Sequence, residues 1–519
     1  MGAMTRLMSR TGLISLFLAA ALAGQAALLG AQRPAAPAVI PAATLDSLRA
    51  KIKTLMDSAN VPSLAWAVAK GGRIVWEEGA GFADLERQTP ATATTAYSMA
   101  SISKPITATG VMRLVEQGKL DLDRPANEYL GEARITGLAG DATGATVRRL
   151  LTHTAGLPLH YRFFYEGSSI KRPSMDEAIA RYAVTVYPPG KVYNYSNLGY
   201  GVLDELIAKA SGQSYEEFMR QEIFLPLGLP TATIGTGAGL QNAAVRYDAK
   251  RKPVAHYDFD HRGASAVYIG AHDLVRFGMF HLKDHLKDQK PVLTVQTIDA
   301  MQRVQTPGDT ITGYGLGWSV SFEQGYRVVS HTGGMPGVST TLKLFPEQDV
   351  AIAVLANASA IAPHRAVFYL AGAVLPRYDA RAQERQVAGG GNQPPSFTVP
   401  ATLWGEWTGT VRTYDGKSAP LSLLIKPDDV HVKLGPTTAL WTALNGPSWR
   451  NNLLGGRFVG TIPSEEARRF PHDVGLSLWL DEGKLRGWAA ALTTDEPLTG
   501  AMSSYAELTK APAPTQPPR

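Results

Sequence analysis

The sequence predicts an α+β domain followed by a small all-β module, and three observations carry that expectation. Residues 44–375 hold strand-like runs at both ends with helical pattern between them. Residues 376–399 turn polar and include Gly389-Gly390-Gly391 and Pro394-Pro395, the composition of a linker. Residues 400–510 are dominated by short strands. The first domain should have an antiparallel sheet, flanked by helices and built from N- and C-terminal segments, with a helical lobe inserted between them. The second should be a barrel or curled sheet.

The elements follow in order. Arg6 and Arg10 precede an apolar run from Leu13 to Leu29, interrupted by Gln25. With the small residues of Ala21-Leu22-Ala23 and the Pro/Ala-rich stretch from Arg33 to Ala43, residues 1–31 read as a secretory signal peptide. A retained membrane anchor is the alternative, because the run approaches spanning length. Leu45, Leu48, Ile52, Leu55 and Met56 recur at helical spacing. Ser63–Lys70 and Arg73–Glu78, joined by Gly71-Gly72, form a hairpin pattern. Ile106, Val111, Leu114 and Val115 mark a helix that Gly118 ends.

From Leu120 to Ile298 the pattern is mostly helical. Strand character returns at Leu316–Phe322, Arg327–His331, Val338–Phe345 and Val350–Ala356, before an apolar helix from Pro363 to Leu375. In the last module the expected strands are Gly405–Tyr414, Leu421–Lys426, Val430–Leu434, Arg457–Ile462, Val474–Leu480 and Lys484–Leu492. Asp481-Glu482-Gly483 turns between the last two. The tail, 511–519, is Pro-rich and expected to be disordered.

Composition narrows the function. A chain of 519 residues with 45% apolar and 18% charged residues can bury large cores. The net charge of +6 is small for that length, and no basic block or helix argues for nucleic acid. Zero cysteines exclude disulfides, thiol catalysis, cysteine zinc sites and lipid attachment through an N-terminal cysteine. No segment after the signal is long and apolar enough to span a bilayer, so a periplasmic or extracellular protein is expected.

Chemistry enters with Ser101-Ile102-Ser103-Lys104, directly before a helix opened by Pro105. Positions i and i+3 share a helix face, which brings a hydroxyl and an amine together as nucleophile and potential base. Three further patterns accompany it in order: Tyr195-Ser196-Asn197 in a Gly/Pro-punctuated loop, Tyr314-Gly-Leu-Gly-Trp318, and His331-Thr332-Gly333-Gly334 at a strand end. Together they resemble the penicillin-recognising serine hydrolases. That family comprises class C β-lactamases, D-Ala-D-Ala carboxypeptidases, related esterases and D-amino-acid amidases. Framework phrases at Val147–Leu157 and Ile223–Leu229 are similar to the same branch. The resemblance covers about residues 44–375 and implies a β-lactamase/transpeptidase-like fold.

It also implies roles. Ser101 would attack an acyl carbonyl and form a covalent intermediate that water cleaves. Lys104 can take the serine proton only if its ordinary pKa of about 10.4 is depressed. Tyr195 is the other proton-transfer candidate, and both remain open as the base. The N–H groups of Ser101 and Gly334 would hold the oxyanion. Asn197 would bond a substrate amide and Thr332 a substrate carboxylate or carbonyl. Glycines at 333 and 334 suit close approach of backbone to substrate.

His331 is a departure, because β-lactamases usually carry lysine there. A histidine titrates near ~6.5 and is mostly neutral at pH 7. That favours an esterase, amidase or D,D-peptidase over an efficient β-lactamase, acting on a small-molecule or peptide acyl substrate without metal or cofactor.

Other residues invite less specific readings. His153, inside a framework phrase, reads as a loop brace. Tyr193 and Tyr200 read as buried structural tyrosines. His281 and His285 have i, i+4 spacing but lack the glutamate of a zinc helix, so a solvated helix face is expected. The tryptophans of the last module suit core packing better than a sugar-binding face. No Gly-x-Ser-x-Gly elbow, Walker loop or dinucleotide glycine pattern is present. A non-catalytic scaffold on the same fold is the alternative from another class. Oligomeric state is not encoded in any of these patterns.

Overall fold

A computed structural model describes residues 40–284, 286–391, 397–494 and 498–512. The segment read as a signal peptide, His285 and the last residues of the tail therefore lie outside the described residues. An eight-stranded sheet organises the first part of the chain. Strands β1 (Ser63–Lys70) and β2 (Ile74–Asp84) form the N-terminal hairpin. Strands β3 (Ser319–Glu323), β4 (Tyr326–Met335), β5 (Val338–Phe345) and β6 (Val350–Ala356) come from the far end of the domain. Spatially the order is Gly313–Tyr314, β3, β4, β5, β6, β1, β2 and Thr89–Pro90, with every pairing antiparallel. The N-terminal hairpin thus docks beside the last strand, as the sequence predicts.

Two-residue alternation fills both faces of this sheet. Ala65, Ala67 and Ala69 of β1, with Ala351, Ala353 and Leu355 of β6, face the helical lobe. Leu64, Trp66 and Val68, with Val350, Ile352 and Val354, face helix α1 (Ala42–Ser58) and its neighbours. Small residues on the lobe side let helix α4 (Ala271–His281) lie close: a Cβ added at Gly278 would sit 2.9 Å from a Leu344 methyl. Helix α5 (Ala362–Val374) covers the opposite face.

The central helices, α2 (Ser103–Glu116) and α3 (Asn197–Ser211), belong to the inserted lobe. The segment read as a linker contains helix α6 (Ala380–Gly391), tied back to α5 where Arg365 and Tyr369 each donate to Glu384 at 2.6 Å. The helix-forming run Ala380–Gln386 precedes the glycines that dominated the sequence expectation.

The C-terminal module is a nearly closed, barrel-like sheet. Its strands are β7 (Gly405–Arg412), β8 (Ser418–Ile425), β9 (Val430–Leu434), β10 (Asn445–Arg450), β11 (Leu453–Phe458), β12 (Asp473–Asp481), β13 (Lys484–Thr493) and β14 (Leu498–Lys510). They run β9-β8-β7-β14-β13-β12-β11-β10, with Thr442–Ala443 beside β9. Leu421, Leu423, Val432, Leu476, Leu478 and Trp407 pack its interior.

Three expectations change here. The strand expected over Arg457–Ile462 lies earlier, at Leu453–Phe458, because Asn451 (φ 51°) and Asn452 (φ 63°) form a tight turn that starts it. Strands β10 and β14 were not anticipated. Nor was Tyr161–Tyr165, which lies in the mostly helical middle yet pairs with β14 and with Tyr257–Phe259. That pairing makes one hydrogen-bonded sheet out of the lobe edge and the barrel. No described helix is long and apolar enough to cross a membrane.

Candidate functional site

Ser101 sits in a short 3-10 turn, Ala100–Ile102, that feeds directly into α2. In that geometry side chains three apart nearly eclipse, so Lys104 Nζ comes within 3.2 Å of Ser101 Oγ. Ala100, just before the serine, has φ 48°, a left-handed conformation costing on the order of 1–3 kcal/mol in a non-glycine residue. The surroundings enforce it. The Met99 N–H donates to Val267 O at 2.8 Å, and the Thr340 hydroxyl donates to Met99 O at 3.0 Å.

Lys104 is fully buried and donates to Asn197 Oδ1 at 2.7 Å and to Ala264 O at 3.4 Å. No carboxylate contacts it among the described residues. Burial alone pushes its pKa well below the usual lysine value. Its ammonium position also lies over the Tyr195 ring, 4.6 Å from the centroid.

The Tyr195-Ser196-Asn197 motif is held by its own chemistry. Ser196 caps α3, its hydroxyl accepting from the Gly199 N–H at 3.0 Å and donating to Pro158 O at 2.7 Å. That cap sets Asn197 in the first turn, facing Lys104. Tyr195 hydrogen-bonds Ser101 through its hydroxyl, and burial raises its pKa. His153 braces the loop, as expected. In a left-handed conformation (φ 58°), it accepts from the Asn194 N–H with its carbonyl and from the Ser196 N–H with Nδ1. Its ring packs 4.4 Å from that of Tyr195.

Strand β4 forms the opposite wall. Its pairing with β3 ends at Ser330, so residues 331–335 are bonded only to β5 and present a free backbone edge. Thr332 and Gly334 are exposed, whereas His331 and Gly333 point inward. The two glycines differ in purpose. A Cβ at Gly333 would lie 2.1 Å from Met99 O, so glycine there lets the strand close on the turn that carries Ser101. A Cβ at Gly334 would meet nothing within 4 Å.

His331 donates from Nδ1 to Thr332 O at 2.7 Å, which leaves Nε2 to accept from the Tyr314 hydroxyl at 2.9 Å. Burial, aided by Lys104, lowers its pKa to about 3, so the ring is neutral throughout the physiological range. Tyr314 was the missed member of the site. Its signal was present in the quoted Tyr314-Gly-Leu-Gly-Trp318 stretch, where Gly317 (φ 89°) packs against Pro105 and Ala108 of α2.

Two other expectations are corrected. His281 is not on a solvated face: it is fully buried, its Nε2 is 3.0 Å from Thr109 Oγ1, and burial lowers its pKa to about 3. Tyr200 is buried as expected and donates to Leu151 O, but Tyr193 is 41% exposed. Among the described residues no group of three or more His, Asp or Glu side chains is arranged to hold a metal ion.

Comparison with known proteins bears on the family and the fold. A penicillin-binding protein of Bacillus subtilis (strain 168) is 28% identical over 312 residues, 56% of this chain and 66% of its own length. Penicillin-binding protein 4 of Amycolatopsis lactamdurans is 29% identical over 329 residues, 59% of this chain and 84% of its own. The chain thus spans just under two thirds of the first relative. The octameric penicillin-binding protein homologue from Pyrococcus abyssi has a similar fold, with a TM-score of 0.56 at 21% identity over 88% of this chain and 99% of that one. Residues 48–374 match the family model described as Beta-lactamase, well over half of the sequence, and the chain therefore belongs to the beta-lactamase family of serine hydrolases.

Proposed function

We propose that the protein is an exported acyl hydrolase that cleaves ester or amide substrates, D-amino-acid peptides among them, through an acyl-Ser101 intermediate. The observation that carries this reading is the Lys104 environment. A neutral amine has two hydrogens and one lone pair. Giving the hydrogens to Asn197 and Ala264 leaves the lone pair facing Ser101. The pKa values of Lys104 and Tyr195 move apart, down for the amine and up for the phenol. That separation supports Lys104 as base and Tyr195 as a protonated donor.

In the proposed sequence the Ser101 proton passes to Lys104 as the Oγ–C bond forms. The N–H groups of Ser101 and Gly334 hold the oxyanion. The bond to the leaving nitrogen or oxygen then breaks as that atom takes a proton through Tyr195. Water adds to the acyl carbon, its proton returns by the same route, and Ser101 leaves with its hydroxyl restored. Asn197 and Thr332 bind polar groups of the substrate.

A neutral, buried His331 offers no permanent cation for a substrate carboxylate, which favours esters, amides and peptides over rapid β-lactam turnover. Export rests on the N-terminal charge and apolar pattern.

The test labels the full chain and a Ser101→Ala variant with fluorescent fluorophosphonate and with fluorescent penicillin. Fluorophosphonate labelling that depends on Ser101 supports the reading, and penicillin labelling extends it to β-lactam-like acyl donors. Absence of both labels at Ser101 would leave the non-catalytic scaffold as the better description.

A further inference from the structure

A cleft of about 690 Å³ opens where the hydrolase domain meets the barrel. One wall is the Lys191–Tyr193 stretch that leads into Tyr195, and a second is the Thr306–Tyr314 loop. The third is the β10–β11 turn at Asn451 and Asn452, with Trp479 of β12. The cleft is joined to the chemistry through shared residues. Tyr314 lines it and donates its hydroxyl to His331, and Tyr193 lines it two residues from Tyr195. The rings of Tyr193 and Tyr314 are 5.9 Å apart, and both pack around His153, the brace beneath Tyr195.

Position decides which part of a substrate would enter. In acyl transfer the oxyanion donors and the group that protonates the leaving atom work on different sides of the carbonyl. Tyr193, two residues before Tyr195 on the same loop, lines the cleft, and that connection assigns the cleft to the leaving group. Its volume is in the range of about 300–1,000 Å³ that holds ligands of drug size, much more than a simple alcohol or one small residue needs. Its lining joins flat aromatic faces, Tyr193 and Trp479, to the amides of Asn451 and Asn452. Lys191 is exposed at its rim, with no side-chain partner found among the described residues.

We propose that this cleft is a leaving-group subsite, built jointly by the hydrolase domain and the barrel. It takes a peptide leaving group of two or more residues whose terminal carboxylate reaches Lys191. The inference rests on the acyl-Ser101 reading above and adds the substrate class: cleavage within an acylated peptide rather than removal of a single terminal residue. Aromatic walls hold the chain, asparagine amides bond its peptide groups, and Lys191 selects its charge.

The test uses the full chain and one acyl group joined to p-nitrophenol, to a single amino acid, and to di- and tripeptides with free or amidated ends. A glycoside leaving group completes the series. The expected result is a kcat/KM at least tenfold higher for di- and tripeptide leaving groups than for the single residue. Amidation should remove much of that gain, and Lys191→Glu should reverse the preference for a free carboxylate. Turnover of the p-nitrophenyl ester through Ser101 with no dependence on peptide length would overturn the subsite while leaving the hydrolase reading intact. An equal or greater gain from the glycoside would overturn the peptide assignment. Failure to acylate Ser101 with the ester would sink both.

Discussion

The indole N–H of Trp488 donates to the side-chain oxygen of Asn194 across 3.3 Å, linking barrel strand β13 to the residue before Tyr195. Asn194 also donates to Leu157 O at 2.7 Å, and nearby the Tyr187 hydroxyl donates to the Ser477 hydroxyl at 2.8 Å. Buried Val186, Tyr187, Val192 and Tyr505 form an apolar cluster around this contact. The barrel therefore supports the loop that carries Tyr195.

Trp488→Phe keeps the packing but deletes the donor, a bond worth about 0.5–1.5 kcal/mol. We expect kcat to fall roughly three- to tenfold with little change in Tm. The double variant with Asn194→Ala should be no worse than Asn194→Ala alone. Fully additive losses would show that the two side chains act independently.

Lys104→Met should lower kcat/KM by about 10²–10⁴, the usual yield of a proton-transfer group, and Tyr195→Phe by less. In the parent enzyme, activity should rise with pH as Lys104 loses its proton, at a pH well below the ordinary lysine value. His331 contributes no limb near ~6.5, because burial holds its pKa to about 3. A pH–rate profile of His331→Gln should keep the same acid limb, and loss of that limb would contradict the assignment.

Gly333→Ala and Gly334→Ala should separate folding from chemistry. The first forces a Cβ to 2.1 Å from Met99 O and should cost about 3 kcal/mol or more. The second meets open space, so Tm should hold while kcat/KM falls as the methyl group intrudes on the substrate side. Thermal melts and ester kinetics on both variants check the pair.

Acid should destabilise the fold before it protonates most carboxylates. His281 and His331 are buried with pKa values lowered to about 3, and His153 is lowered strongly by burial. A depressed histidine pKa means the unfolded chain takes up the proton first, so stability present above ~6.5 is lost as pH falls toward the folded value. Each group contributes a slope of about 1.4 kcal/mol per pH unit in that window. Urea titrations at pH 7.5 and pH 5 should show the loss. His281→Gln should reduce it by about 2 kcal/mol, and an unchanged slope would refute the assignment.

What the sequence made legible was local. The Ser101–Lys104 spacing, the Tyr195 loop and the His331 strand end are short patterns whose geometry follows from helix and strand periodicity. The hairpin Ser63–Glu78 and the alternation along Val350–Ala356 were legible for the same reason. What escaped were long-range relationships. Tyr161–Tyr165 becomes a strand because β14 pairs with it, a partner no local window contains. His281 has the spacing of a surface pair, yet its burial is set by Thr109 of α2 and Trp318 beyond. Tyr314 was visible as part of a motif, but its role depends on a hydrogen bond to a residue on another strand.

The central claim is that Ser101 becomes covalently acylated with Lys104 as its base. Its most direct test is intact-mass and peptide-mapping spectrometry on the full chain, quenched in acid during turnover of a p-nitrophenyl ester. The account predicts a mass increase equal to the acyl group, mapped to the peptide containing Ser101, absent in Ser101→Ala and strongly slowed in Lys104→Met. Ester hydrolysis by Ser101→Ala at the parent rate, or an adduct mapped to any other residue, would contradict it.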